Sequence, residues 1–193
     1  LRYESKHGDQ GFEGNLSATV VYTLTNDNTL RIDYKASCDT LSPINMCNHT
    51  YFTLGESNIH ELELLLMSNK ILPVDSHSIP TGEIVRPPAS LCFMPPVKIG
   101  QHLRQQDIDD CYVLLKQPMS DSMQHACTLT SASNHLKLMI STNQIALQVY
   151  TGNYLPSKHS AIALEAQGLV DAVNQTGFEC DWVGPNQDYS KTI

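Results

Sequence analysis

Apolar and polar side chains alternate along much of the chain. Leu16, Ala18, Val20, Tyr22 and Leu24 interleave with Ser17, Thr19, Val21 and Thr23; Asn26-Asp27-Asn28 follows, and then Leu30, Ile32, Tyr34, Ala36 and Cys38 interleave with Arg31, Asp33, Lys35 and Ser37. A period of two is the repeat of a strand, and the Asn/Asp tripeptide supplies turn chemistry, so residues 16–38 are predicted to form a β-hairpin with one wet face. Glu61-Leu62-Glu63-Leu64 alternates in the same way before Leu65, Leu66 and Met67, and its shortness favours a strand over a helix. Further strands are predicted after the acids at 107–110, at 127–130, 136–140 and 145–150, and over 161–167. No amphipathic helical repeat is present. Many short strands separated by turns predict an all-β chain folded as an antiparallel β-sandwich.

Prolines at 73, 80, 87, 88, 95 and 96 interrupt this pattern. Each removes a backbone donor, so residues 72–96 are predicted to be an irregular surface connection with Ile79-Pro80-Thr81-Gly82 as a turn. Such a segment serves either as the wall of a cleft or as a plain connector.

Two polar residues stand out against apolar surroundings. His49 lies in Asn48-His49-Thr50-Tyr51-Phe52-Thr53-Leu54-Gly55, where an extended run ends at a glycine, and Glu165 lies in Ala161-Ile162-Ala163-Leu164-Glu165-Ala166-Gln167. Histidine titrates near neutrality and a glutamate in an apolar strand is rarely buried without a role, so the two together suit general acid–base chemistry. The plainer reading is that both are hydrogen-bonded core groups. Asp107, Asp109 and Asp110 precede the apolar run from Cys111 to Leu115, where carboxylates can accept sugar hydroxyls; calcium is conceivable, although no EF-hand spacing is present.

Composition narrows the partners. Twelve Lys+Arg against 20 Asp+Glu give a formal charge of −8 with no basic stripe, which argues against nucleic acid. No apolar run approaches a membrane span, the start does not read as a signal peptide, and there is no P-loop or GxGxxG fingerprint. The remaining histidines form no metal-binding spacing. Cysteines at 38, 47, 92, 111, 127 and 180 lack CxxC spacing and suit reduced thiols in a cytoplasmic protein, with Cys38, Cys47 and Cys111 as small buried hydrophobes. The 193 residues fit one domain, 1–193, although both ends look cut.

Taken in order, Gly8-Asp9-Gln10-Gly11-Phe12-Glu13-Gly14-Asn15-Leu16, Asn48-His49-Thr50-Tyr51-Phe52-Thr53-Leu54, Leu72-Pro73-Val74-Asp75 with Ile79-Pro80-Thr81-Gly82, Tyr150-Thr151-Gly152-Asn153-Tyr154-Leu155 and Leu164-Glu165-Ala166-Gln167 resemble the galactose mutarotases, or aldose 1-epimerases. The resemblance implies a large antiparallel β-sandwich, here the C-terminal part of that family's domain without its N-terminal portion. It implies cofactor-free interconversion of the α and β anomers of a hexose such as galactose or glucose. Glu165 takes the place of the base and His49 that of the acid, with Asp109, Asn48 and Tyr51 as sugar-binding residues. Asp110 stands where the family has a histidine, Glu13 and Val170 where it has prolines, and Thr53 where it has asparagine. The family's N-terminal portion brings an arginine and a further histidine to the sugar. Without them the chain is expected to expose an apolar wall, to self-associate, and to act either as an incomplete mutarotase or as a non-catalytic sugar-binding or regulatory module.

Overall fold

Strand periodicity becomes a set of antiparallel sheets in the computed structural model, which describes residues 1–115 and 123–193. In chain order its strands are β1 (Arg2–Ser5), β2 (Leu16–Leu24), β3 (Leu30–Cys38), β4 (Ser42–Pro43), β5 (Tyr51–Phe52), β6 (Glu63–Leu66), β7 (Ser68–Ile71), β8 (Val97–Lys98), β9 (Asp109–Leu114), β10 (Gln124–Ser131), β11 (Leu136–Thr142), β12 (Ala146–Tyr150), β13 (Ile162–Gln167), β14 (Trp182–Val183) and β15 (Tyr189–Thr192). Among the described residues one α-helix, α1 (Ile99–Leu103), spans five residues. Among the described residues no helix is long and apolar enough to cross a membrane.

Two sheets make the sandwich. The order β5-β13-β12-β9-β7 forms a five-stranded sheet and β11-β10-β6-β8 a four-stranded one. Leu147, Val149, Ile162, Leu164, Ala166, Tyr112 and Leu114 from the first pack into one core with Leu64, Leu66, Cys127, Leu129 and Ile140 from the second. Leu64 and Leu147 are wholly buried, which is worth about 1.5–3 kcal/mol each before ordering costs. A third sheet, β1-β2-β3-β15, buries Ile32, Tyr34, Ala36 and Cys38 against Tyr189 and Val183. The β2–β3 hairpin has the predicted register, with Leu16 opposite Cys38 and Leu24 opposite Leu30. Its tip does not bury the apolar face that alternation suggests: Tyr22, Leu24 and Leu30 are exposed.

The register of the five-stranded sheet decides what reaches each face. Gln148 lies opposite both Glu165 and Cys111, and Tyr150 opposite both Ala163 and Asp109. Directly paired residues share a face and successive residues alternate. Asp109, Gln148, Tyr150 and Glu165 therefore stand on one face together with Tyr51, which pairs with Ala163. Asp110, Tyr112, Val149 and Leu164 face the core side. Strand β13 is buried along its whole length because it is central and covered on both sides, which is why residues 161–167 show no alternation.

Residues 72–96 act as a connector that plugs the core. Leu91 and Phe93 are buried in it, the Leu91 carbonyl accepts a hydrogen bond from Tyr112 Oη at 3.0 Å, and the Pro80 carbonyl accepts one from Gln175.

Gly152 closes the link between β12 and β13. Its φ is +70°, and a Cβ there would sit 2.5 Å from the Ala161 carbonyl oxygen and 2.8 Å from Leu155 Cδ1. Both backbone strain and overlap oppose any side chain. Gly152→Ala is expected to destabilise the fold by about 2–4 kcal/mol, read as a lowered denaturant midpoint.

Candidate active site

Strands β5, β13, β12 and β9 bring five polar side chains, Tyr51, Glu165, Gln148, Tyr150 and Asp109, onto one face. The Glu165 carboxylate is the innermost: the residue is 6% exposed. His49, just before β5, places Nε2 at 3.4 Å from Glu165 Oε1, while half of the imidazole side chain, 51%, stays open to solvent. The Tyr51 ring packs against His49 with centroids 5.0 Å apart, and Tyr150 closes on both rings at 6.3 and 6.2 Å. Gln148 donates from Nε2 to Asp109 Oδ1 at 2.8 Å, and its Oε1 is buried without a partner.

Burial pushes the Glu165 carboxyl above the usual glutamate range, and Asp109 adds to the rise; the Cys47 thiol and the His49 ring oppose it. A carboxyl so placed is a stronger base than an exposed one, and the ring beside it can carry the matching proton. Tyr51 senses the same field: its phenol is pushed up by loss of water first, then by Tyr150, Glu165 and Asp109. The arrangement can remove a proton from one atom of a bound molecule and deliver one to a neighbouring atom. Among the described residues no group of three His, Cys, Asp or Glu side chains is placed to hold a metal ion.

The structure brings His49, Glu165, Asp109 and Tyr51 together. Asn48 goes elsewhere. It alternates with His49, so its Nδ2 donates to Tyr22 Oη at 3.1 Å and its Oδ1 accepts from Thr50 N at 3.2 Å and Thr50 Oγ1 at 2.5 Å. Asn48, Thr50 and Phe52 line a separate cavity of about 480 Å³, walled by Leu30, Ile32, Met123, Leu138, Met139 and Ile193. Leu30, Met123 and Met139 are exposed at its rim, while Ile32 is buried at its base. Asp110 points away from Asp109, and burial pushes its carboxyl up. Asp107 pairs with Lys158 at 2.8 Å and His159 at 3.0 Å.

One cysteine assignment is corrected. Cys38 and Cys111 are buried as expected, but Cys47 is exposed, because residues 44–50 cross the face of the sheet as irregular backbone instead of entering the core as a strand. Its sulfur is turned onto the carboxylate, 3.4 Å from Glu165 Oε2. Gln148 and Tyr150 also join the site unforeseen. Gln148 interrupts the apolar run Ile145-Ala146-Leu147-Gln148-Val149 as Glu165 interrupts its own, and that was the available signal.

The chain is similar to known proteins over nearly its whole length. The chain is 37% identical to an aldose 1-epimerase from Haemophilus influenzae over 91% of its length, and 34% identical to a galactose mutarotase from Sus scrofa over 97%. It covers 56% and 59% of those relatives, so it spans little more than half their length. In fold it is similar to an aldose epimerase homologue from C. elegans, with a TM-score of 0.91 at 22% identity over 99% of this chain and 62% of that one. A galactose 1-epimerase from Lactobacillus acidophilus gives 0.84 at 25% over 100% of this chain and 60% of that one. A buried glutamate, a histidine against it and an antiparallel sandwich carrying both thus accompany a match of residues 1–193 to the aldose 1-epimerase sequence pattern, and the chain belongs to that family.

Proposed function

We propose that this face catalyses anomer exchange of a hexose such as galactose or glucose, as a mutarotase, when the rest of the family domain completes its open side. The observation that carries the reading is the contact between the buried Glu165 carboxylate and the half-exposed His49 ring. The anomeric hydroxyl and the ring oxygen of an aldose are bonded to the same carbon, so two groups this close can serve both. Glu165 takes the proton of the anomeric hydroxyl while protonated His49 gives one to the ring oxygen. The bond between the anomeric carbon and the ring oxygen breaks, leaving an open-chain aldehyde. After rotation about the adjacent carbon–carbon bond, His49 recovers its proton from the attacking hydroxyl, and Glu165 returns its own to the former carbonyl oxygen. The products are the other anomer and an unchanged site.

Asp109 and Gln148 are the acceptor and donor for sugar hydroxyls, with Tyr51 as a flat wall. Asn48 contributes by bracing the backbone that presents His49, through Thr50 and Tyr22. No step calls for a cofactor, and a cytoplasmic setting suits the six unpaired cysteines.

Polarimetry on freshly dissolved α-D-galactose, run beside a sugar-binding titration, tests the reading. Exchange faster than the spontaneous rate supports an enzyme; binding without exchange supports a sugar-binding module instead. In the same titration Asp109→Ala is expected to weaken binding about 10-fold or more and Asp110→Ala by less than about 3-fold, since only Asp109 presents its oxygens to the open face. The reverse ranking would place the sugar elsewhere.

A further inference from the structure

The thiol of Cys47 has no part in the proton transfers proposed above, yet it touches the group that makes them possible. Glu165 Oε1 faces His49 at 3.4 Å, and Glu165 Oε2 receives Cys47 Sγ at the same distance. The two oxygens of one carboxylate are thus engaged from two sides. A thiol can donate one proton and accepts only weakly, so next to an acceptor-only carboxylate its hydrogen must point at the oxygen.

We infer that Cys47 is a positioning residue for Glu165: its thiol holds Oε2 and leaves Oε1 turned toward His49 and the open face. The inference rests on the reading of Glu165 as the base, but the contact itself does not. Without the thiol the carboxylate would be free to rotate, and either oxygen could settle against His49. With it, one oxygen is spoken for. The same bond favours the ionised carboxylate against the burial that disfavours it, which keeps the base ready near neutrality.

The groups around the pair support this assignment. Glu165 is faced by Cys47 and His49 from the segment before β5, by Tyr51 from β5, and by Asp109 from β9. Asp109 and burial push the Glu165 carboxyl up, while Cys47 and His49 draw it down. The phenols of Tyr34 and Tyr189 lie within electrostatic reach of the Cys47 thiol. Loss of water around the sulfur, then the Glu165 charge, push the thiol up to about 12. The thiol therefore stays protonated, as a donor must, and Cys47 is exposed yet a poor nucleophile.

The first test is the pH profile of kcat/KM in the form that exchanges anomers. Glu165 works ionised, so activity is present above its pKa and lost as pH falls through it. Removing the donor raises that pKa. Cys47→Ala is expected to move the acid limb to higher pH, lowering exchange near neutrality by about 3- to 10-fold, with the loss relative to the parent shrinking as pH rises; Cys47→Ser, which keeps a donor, holds the parent limb. A Cys47→Ala limb superposed on the parent's would overturn the inference.

The second test needs no turnover. Iodoacetamide labelling of the 193-residue chain, followed by peptide mass spectrometry, should modify Cys47 slowly despite its exposure. Glu165→Gln removes the charge that adds to the effect of burial on the thiol and should speed labelling several-fold, by about 3-fold or more. Equal labelling of parent and Glu165→Gln would overturn the contact. The labelling contrast without anomer exchange in any form would support the contact and count against the sugar reaction.

Discussion

Glu165→Gln is expected to cost the exchanging form about 10²–10⁴-fold in anomer exchange while changing sugar affinity by less than about 3-fold. The substitution keeps the shape of the side chain. An amide oxygen can still accept from the Cys47 thiol, and the group facing His49 keeps its place without its charge. What disappears is a group able to take the proton of the anomeric hydroxyl, an interaction made only on the way to ring opening. Fold stability should hold or rise, since an ionised group that is 6% exposed is replaced by a neutral one at the same place. Initial rates on freshly dissolved α-D-galactose, calorimetric affinity and a denaturation midpoint measure the three effects together. A rate unchanged by Glu165→Gln would remove Glu165 from the mechanism. Loss of affinity equal to the loss of rate would recast it as a binding group. Adding His49→Gln to Glu165→Gln should cost much less than the product of the single losses, because acid and base act in one event.

Glu165 and His49 were legible in the chain as polar residues where apolar ones are usual. Their meeting was not, because it depends on β5 pairing with β13, a contact between segments far apart in the sequence. Once the strand after the acids is granted, the contrast between Asp109 and Asp110 follows from parity alone: one of two consecutive strand residues must face away. Cys47 escaped for a different reason. Its neighbours Ile44 and Met46 do pack on the core of the third sheet, as a buried run would, but the backbone there belongs to no strand, so composition could not tell which way the sulfur turns. Alternation in the β2–β3 hairpin located an apolar face without saying what covers it, and Leu24 at 77% exposed shows the difference between the two statements.

That uncovered face leads to the second large effect. The chain spans 56–59% of the curated relatives it is compared with, the His49 side chain is 51% exposed, and a cavity of about 480 Å³ lined by Leu30, Phe52, Met139 and Leu164 opens behind it. Proton transfer contributes little unless the sugar is held in reactive geometry, and positioning accounts for several orders of magnitude in well-oriented systems. A sugar on this face meets donors and acceptors from β9 and β12 on one side and water on the other. Water also weakens every charge interaction around Glu165. The 193-residue chain by itself is therefore expected to exchange α- and β-galactose at least about 100-fold more slowly than a form carrying the rest of the family domain. It is also expected to associate through the apolar wall, which sedimentation velocity would show as species heavier than 21.4 kDa. Adding the remainder of the domain should raise the rate and dissolve the association together, because it would cover both the sugar face and the separate apolar wall. Full activity of a monodisperse 193-residue monomer would show that the site needs no further wall.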